Sequence, residues 1–239
     1  MLRYIVSAIL LFSIVSGFSQ TDTAEVRPPK PPKVKKELKE FIPTGARFGV
    51  DLYSFGRGIW EEEKTQTEFQ LDVDFRHYLL VFEYGTSKFE EIGEGFAYTN
   101  DGSYFRIGPE INFLYHPSSL NVISIGFRYA TNTFDDLLTY NTEDAFDNTQ
   151  ITASNENGKT QWAEFTVGTK INLWKGLFMG FTLRYKFLKS VKFDELEPSW
   201  LPGFGENRAD DDDQFGFSYY LSWRFEFKKK SKVTELVED

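Results

Sequence analysis

Between Thr67 and Thr86 the chain reads TEFQLDVDFRHYLLVFEYGT. Phe69, Leu71, Val73 and Phe75 alternate with Glu68, Gln70, Asp72, Asp74 and Arg76, the period of two that marks a strand with unlike faces. After a reversal at His77, Leu80, Phe82, Tyr84 and Thr86 resume the apolar face, while Val81, Glu83 and Gly85 take the other. The pattern predicts a hairpin with one greasy and one charged face. The same alternation recurs over about 45–56, 102–114, 121–131, 160–173, 177–187 and 214–227, giving eight strands in all. The last sets Phe215, Phe217, Tyr219, Leu221, Trp223, Phe225 and Phe227 against Gly216, Ser218, Tyr220, Ser222, Arg224 and Glu226.

The connections alternate as strictly as the residues. Arg76–Tyr78, Tyr115–Leu120 and Trp174–Gly176 are short, whereas 57–65, 88–101, 132–159 and 188–213 are long. Strands of about ten to fourteen residues suit a tilted crossing of a bilayer, and tight turns at one end with long loops at the other are the habit of outer-membrane barrels. A bilayer leaves no water for an unpaired amide, so spanning strands must close on themselves. The expected fold is all-β: an eight-stranded antiparallel up-and-down transmembrane β-barrel with short periplasmic turns and long extracellular loops. Phe113, Tyr115, Trp174, Phe225 and Phe227 would form one aromatic girdle, and Tyr53, Phe55, Trp60, Tyr129 and Phe187 the other. A soluble calyx with its apolar face turned inward is the alternative. Pro109, which lacks an amide donor inside the fourth strand, predicts a bulge or local widening.

The flanks are of different material. Met1–Ser19 has Arg3 ahead of an apolar run of about a dozen residues and small residues before Gln20, the signature of a secretory signal peptide too short to span a membrane. Residues 20–44 hold RPPKPPKVKKELKE, a Pro/Lys-rich periplasmic tether that acts as a semi-rigid spacer or as a docking segment. The barrel occupies 45–227, and 228–239 forms a periplasmic C-terminal tail. An even strand number leaves both termini in the periplasm of a Gram-negative envelope. Among 239 residues there are 25 Phe and 12 Tyr, in keeping with a surface of rings. A net charge of −9 argues against nucleic-acid binding, and the absence of cysteine removes thiolate nucleophiles, thiolate metal sites and disulfides.

The signal ending Ser19-Gln20, the stretch GSYFRIGPEINFLY at 102–115 and the final strand FGFSYYLSWRFEF at 215–227 resemble the small eight-stranded outer-membrane barrels, particularly uncharacterised barrel proteins of Bacteroidota envelopes. The resemblance covers about residues 45–227 and rests on general barrel patterning. One departure is that many such barrels end on an aromatic residue, whereas this chain continues for 12 residues past Phe227.

The second face of the strands assigns a lumenal charge network: Arg47, Asp51, Glu68, Asp72, Asp74, Arg76, Glu83, Arg106, Glu110, Arg128, Glu164, Lys170, Arg184, Lys186, Arg224 and Glu226. Eight strands enclose only enough space for side chains to fill, so the mixed charges read as an interlocked plug, with an ion or proton path as the alternative. The histidines, His77 and His116, both fall in expected periplasmic turns, away from where a barrel hydrolase would need one, so no catalytic residue is assigned. Asp210–Asp213 reads as a solvated acidic tip and not as a cation loop with spaced ligands. No cofactor or metal site is expected. The expected partners are outer-membrane lipid and an envelope protein reached through the tether or the extracellular loops. The functional expectation is a non-enzymatic structural or accessory subunit; a narrow channel or transporter for ions or small solutes is the alternative, and a barrel enzyme acting on lipid a third.

Overall fold

The computed structural model describes residues 43–60, 63–115, 120–144, 147–207 and 212–227. The expected signal peptide, the tether up to residue 42, the tail, His116, Asp210 and Asp211 lie outside the described residues.

The alternating segments form eight long strands: β1 (Gly45–Asp51), β2 (Lys64–Asp74), β3 (Tyr78–Gly93), β4 (Phe96–Asn112), β5 (Val122–Asp144), β6 (Asp147–Trp174), β7 (Leu177–Lys192) and β10 (Asp213–Glu226). Each pairs antiparallel with its neighbours, and β1 closes the sheet by bonding to both β2 and β10. The register at the seam puts Gly45 opposite both Glu226 and Asp74. A two-stranded hairpin, β8 (Trp200–Leu201) with β9 (Gly205–Glu206), stands apart from this sheet, and one helix, α1 (Leu52–Trp60), follows β1.

Several strand limits differ from the sequence expectation. The excursions at 88–101 and 132–159 keep their hydrogen bonds almost to the tip, so β5 and β6 run far past the region where their outward residues are apolar. Period two fades there because the outward face is mostly polar and the inward face mixes Phe89, Tyr98 and Phe134 with Asn100, Asn132 and Asp136, while backbone pairing needs no such contrast. The first strand is shorter than expected: it ends at Asp51, not near residue 56. Asp51 caps the helix that replaces it, its Oδ1 accepting from the Tyr53 amide at 3.0 Å and its Oδ2 from the Ser54 hydroxyl at 2.6 Å.

The turns at the other end are tight. Lys175 and Gly176 both have positive φ, 36° and 95°, which fits a two-residue hairpin between Trp174 and Leu177. Arg76 has φ 73° in the β2–β3 turn, where its amide donates to Asp74 Oδ1 at 2.9 Å.

Polarity is inverted relative to a soluble protein. Phe215 is 83% exposed and Phe225 57% exposed, while Arg128, Glu83 and Glu164 inside are fully buried. The outward band runs from Phe225, Ile111 and Ile171 to Phe69, Phe105, Tyr129 and Phe165. A calyx for a hydrophobic ligand requires the opposite arrangement, so the barrel is one built to sit in lipid. Exposed rings stand at both margins, among them Phe113, Trp174, Phe225 and Phe227 at one end and Tyr53, Phe55, Tyr129 and Phe187 toward the other.

Pro109 interrupts the β4–β5 ladder between the Ile107–Tyr129 and Glu110–Gly126 pairs without changing register. The expected bulge is absent. Beside Pro109 the backbones come close at Gly108, where a Cβ would fall 1.9 Å from the Phe127 carbonyl oxygen. At Gly168 the tightest such contact is 3.3 Å. Gly108→Ala is therefore expected to cost about 2 kcal/mol or more of unfolding free energy, and Gly168→Ala less than about 1 kcal/mol. Urea titration of the refolded barrel in detergent, followed by tryptophan fluorescence, measures both; equal losses would show that the close approach at Gly108 is unimportant.

Candidate functional site

The barrel interior is layered, and each layer follows from which residues the strands turn inward. Nearest the short turns lies an apolar floor of Leu79, Val81 and Val122, with Phe178 buried at the same end. The Arg47 guanidinium sits over the Phe178 ring, 5.4 Å from its centroid. Arg47 Nε donates to Asp72 Oδ1 at 2.8 Å, and Lys170 Nζ reaches the other oxygen of Asp72 at 2.5 Å. Asp74 stands between Arg47 and Arg224 at 3.6 and 3.7 Å.

The middle layer is organised by Glu83 and Glu68. Arg128 bridges Glu83 and Glu110, whose Oε2 also accepts from Ser124 at 2.8 Å. Arg184 meets Glu83 at 3.1 Å and Glu68 at 3.2 Å. Arg106 meets Glu68 at 2.7 Å, Glu164 at 2.9 Å and Glu83 at 3.2 Å. Neutral donors add to the carboxylates: Gln70 to Glu83 at 2.8 Å, Tyr104 to Glu68 at 2.5 Å, Trp162 Nε1 to Glu164 at 2.7 Å, and the Tyr220 hydroxyl, which lies against both Glu68 and Glu83.

Above this lies a lid that the sequence reading left as an extracellular loop. The β8–β9 hairpin enters the mouth and buries Leu201, Pro202, Gly203 and Phe204 against Tyr104, Ala130, Phe134 and Trp162. Its carbonyls take charge-bearing donors from the wall: Arg106 to Gly203 at 2.8 Å, and Lys186 to Gly203 and Phe204 at 2.8 and 2.7 Å. Asn132 donates to the Pro202 carbonyl at 2.8 Å and Asn100 to that of Trp200 at 3.1 Å. Trp200 stacks on Phe89 at 5.1 Å.

The structure thus brings most of the sequence-assigned residues together and separates four. Arg76 is a turn residue at the rim. Glu226 is an exposed end residue whose carboxylate meets Arg224 at 2.6 Å. Asp51 is buried, but it accepts from Ser54 and from the amides of Tyr53 and Tyr219, the last at 2.9 Å, and so marks the end of β1 pairing. Lys186 holds the lid. Residues missed by the sequence reading include Tyr104, Tyr220, Trp162 and Gln70; each lies at an inward position of a strand already identified, which was the available signal. The lid had a signal as well, the apolar run Trp200-Leu201-Pro202-Gly203-Phe204 inside an otherwise polar connection.

Beyond the lipid-facing band, Asp136 is buried beside Tyr98, whose hydroxyl donates to it at 3.1 Å. Burial raises the Asp136 carboxyl above its ordinary value, and burial with the adjacent carboxylate raises the Tyr98 phenol. His77 is exposed in its turn and its ring packs, tilted, against that of Tyr115 at 4.3 Å. Asp212 accepts from the Leu188 amide through its carbonyl at 2.6 Å, and Asp213 opens β10. Among the described residues no group of three or more His, Asp or Glu is placed to hold a metal ion.

A family model described as a domain of unknown function (DUF6048) matches residues 1–230. The chain belongs to the DUF6048 family. No curated protein matches this DUF6048 chain. Among solved structures it is similar to Acinetobacter baumannii CarO2, at 12% identity and a TM-score of 0.39, covering 77% of this chain and 99% of that one. It is similar also to Ail, the attachment invasion locus protein of Yersinia pestis, at 8% identity and a TM-score of 0.41, covering 77% and 98%. Neisserial surface protein A follows at 8% identity and 0.34, covering 77% and 96%. The architecture of the DUF6048 barrel rests on its own strand pairing, not on these distant likenesses.

Glu83→Gln removes the charge shared by three buried arginines and is expected to cost about 3–5 kcal/mol. Glu226→Gln, at the exposed rim, should change stability by less than about 0.5 kcal/mol. Urea midpoints of the two variants check this, and similar losses would show that the core is not held by ion pairing. For Asp136 the sign follows from a raised carboxyl: its favourable contribution is present when protonated and is lost as pH rises through its folded pKa. Asp136→Asn should therefore raise the temperature of the heat-induced gel shift at pH 8 and leave it unchanged at pH 4. A gain at both pH values would mean that packing, not charge, sets the difference.

Proposed function

We propose that this protein is a non-enzymatic outer-membrane barrel whose lumen is closed, and that it serves as a structural or accessory subunit of an envelope complex. The observation that carries the reading is the closure of the interior at three successive levels: the apolar floor, the ion-paired middle and the inserted β8–β9 hairpin. Seven basic and seven acidic side chains are buried among the described residues, so the interior carries little net charge with which to select an ion. A filled barrel offers its surfaces and not its lumen for work. Those surfaces are the lipid-facing wall, the long extensions of β5 and β6, and the Pro/Lys-rich segment ahead of β1. Both termini are taken to lie in the periplasm, in an envelope of the Bacteroidota kind that the sequence resemblance implies.

Recovery of tagged protein in mild detergent should bring an envelope protein with it, and deletion of residues 20–40 should abolish that recovery if the tether is the contact. Loss of any co-purifying protein from the wild-type sample would remove the accessory role. Planar-bilayer recording should show no steady single-channel conductance; a stable conductance would favour the narrow channel instead.

A further inference from the structure

β6 outruns β7. Its ladder with β7 begins at Lys159, opposite Lys192, whereas its ladder with β5 continues through residues 147–155. Over that stretch the β7 side of β6 meets no strand among the described residues. The amide of Asn141 donates to the Gly95 carbonyl on the β4 side, so that of Tyr140 turns to β6, where Ile151 stands opposite. By the alternation of an antiparallel ladder, Gln150, Thr152 and Ser154 then turn their amides and carbonyls away from β5, to the open edge. The connection from β7 to β8 is tied lower down, through the Asn155 side chain, whose Oδ1 accepts from the amides of Asp194, Glu195 and Leu196 at 3.0, 2.9 and 3.1 Å. Natural edges are commonly blunted by a charge or a proline. Residues 149–155 read TQITASN and hold neither.

The inner face of the same sheet carries an apolar shelf. Register places Phe96, Tyr140 and Ile151 side by side across β4, β5 and β6, with Tyr98, Leu138 and Ala153 in the row nearer the barrel. Tyr98 and Leu138 join the cluster of Phe89, Trp200 and Leu196, whereas Phe96 and Ile151 beyond it are exposed. A strand added at the β6 edge sets every second side chain on this inner face, beside Ile151 and Ala153. The flank of the edge is acidic: Glu156, Asp194, Glu195 and Glu197 are exposed, and residues 147–158 and 193–199 contain no Lys or Arg. The nearest lysines, Lys159 and Lys192, face each other where the β6–β7 ladder starts.

We propose that the β6 edge at residues 150–154 is a docking site for an extended, basic segment of a partner protein, which adds a strand to the sheet beyond the lipid-facing band and lays alternate apolar side chains on the shelf at Ile151. Main-chain bonds to Gln150, Thr152 and Ser154 supply the affinity, and the shelf and the acidic flank supply the selectivity. A second copy is a poor occupant. In one membrane its β6 runs in the same sense, which excludes antiparallel pairing, and its acidic flank meets a like charge. The inference rests on the accessory reading and deepens it, by naming a contact surface and the chemistry of the partner.

The test is fluorescence anisotropy of short labelled peptides with the full chain in mild detergent: one of alternating valine and lysine, one of alternating valine and glutamate, and a valine–lysine peptide with proline at its centre. The first should bind about tenfold or more tightly than either of the others, the worth of one or two hydrogen bonds. Thr152→Pro removes an edge-facing amide at a position where an edge strand tolerates proline. It should weaken valine–lysine binding about tenfold, with the heat-induced gel shift unchanged. Gln150→Pro provides the same reading where the first variant does not fold. Absence of valine–lysine binding, equal binding of the three peptides, or unchanged binding to a folded variant would each overturn the site. Self-association of the barrel that Thr152→Pro abolishes would overturn it too, by giving the edge to a second copy. Peptide and barrel are both purified, so this test can fail while an envelope protein still co-purifies, and the two readings fall separately.

Discussion

Glu83 is the residue on which the interior depends. Its carboxylate lies on β3 and is met by Arg106 from β4, Arg128 from β5 and Arg184 from β7, so a single charge ties four strands across the lumen. Such a group is stable only while its partners stay in place, because an unpaired charge in a dry interior costs several kcal/mol. The partners are held in turn by Glu68, Glu110 and Glu164. The network thus specifies one registry of the strands: a slip by one residue would turn a strand's lumenal charges toward lipid and its lipid-facing rings inward.

The apolar layers above and below make that network possible. Leu79, Val81, Val122 and Phe178 close one end, and the packed rings of Phe134, Trp162 and Phe204 the other, so water has little access to the middle. In a medium of low polarity the ion pairs gain strength, and every donor or acceptor left over becomes expensive. Tyr104, Tyr220, Gln70 and Trp162 answer that demand by supplying neutral donors to carboxylates that cations alone do not saturate. The hairpin lid meets the same demand differently, by offering its carbonyls to Arg106 and Lys186.

How much of this was legible in the chain depends on which contrast the environment imposes. Where one side of a strand faces lipid and the other a charged lumen, alternation is strong, and the eight strands, their order and most of the inward charges could be read directly. Past the band the outward side turns polar and the inward side mixes rings with Asn and Asp, so alternation weakens and the long extensions of β5 and β6 look like loops. The helix at Leu52–Trp60 was hidden for a different reason: LYSFGRGIW continues the alternation for a few residues, and two glycines argue against a helix. Only the capping geometry of Asp51 and Ser54 reveals the switch. Arg76 was misplaced because the polar phase of β2 runs into a turn, where a positive φ redirects the chain.

The ionic core and the seam have opposite mechanical character, and this follows from the same few residues. β3, β4, β5, β6 and β7 share long ladders and the buried ion pairs, so relative motion among them would break many charge contacts at once. β1 contributes seven residues and, in the middle layer, none of the carboxylates. Its lumenal ties are Arg47 to Asp72 near the floor and Asp51 at its upper end. Above Asp51 the wall is held by side-chain packing of α1, which weakens with small displacements and has no registry to restore it. Any change of shape this barrel undergoes in the membrane is therefore expected at the β2–α1–β10 seam, since that is the one stretch of described wall where opening need not separate an ion pair of the middle layer.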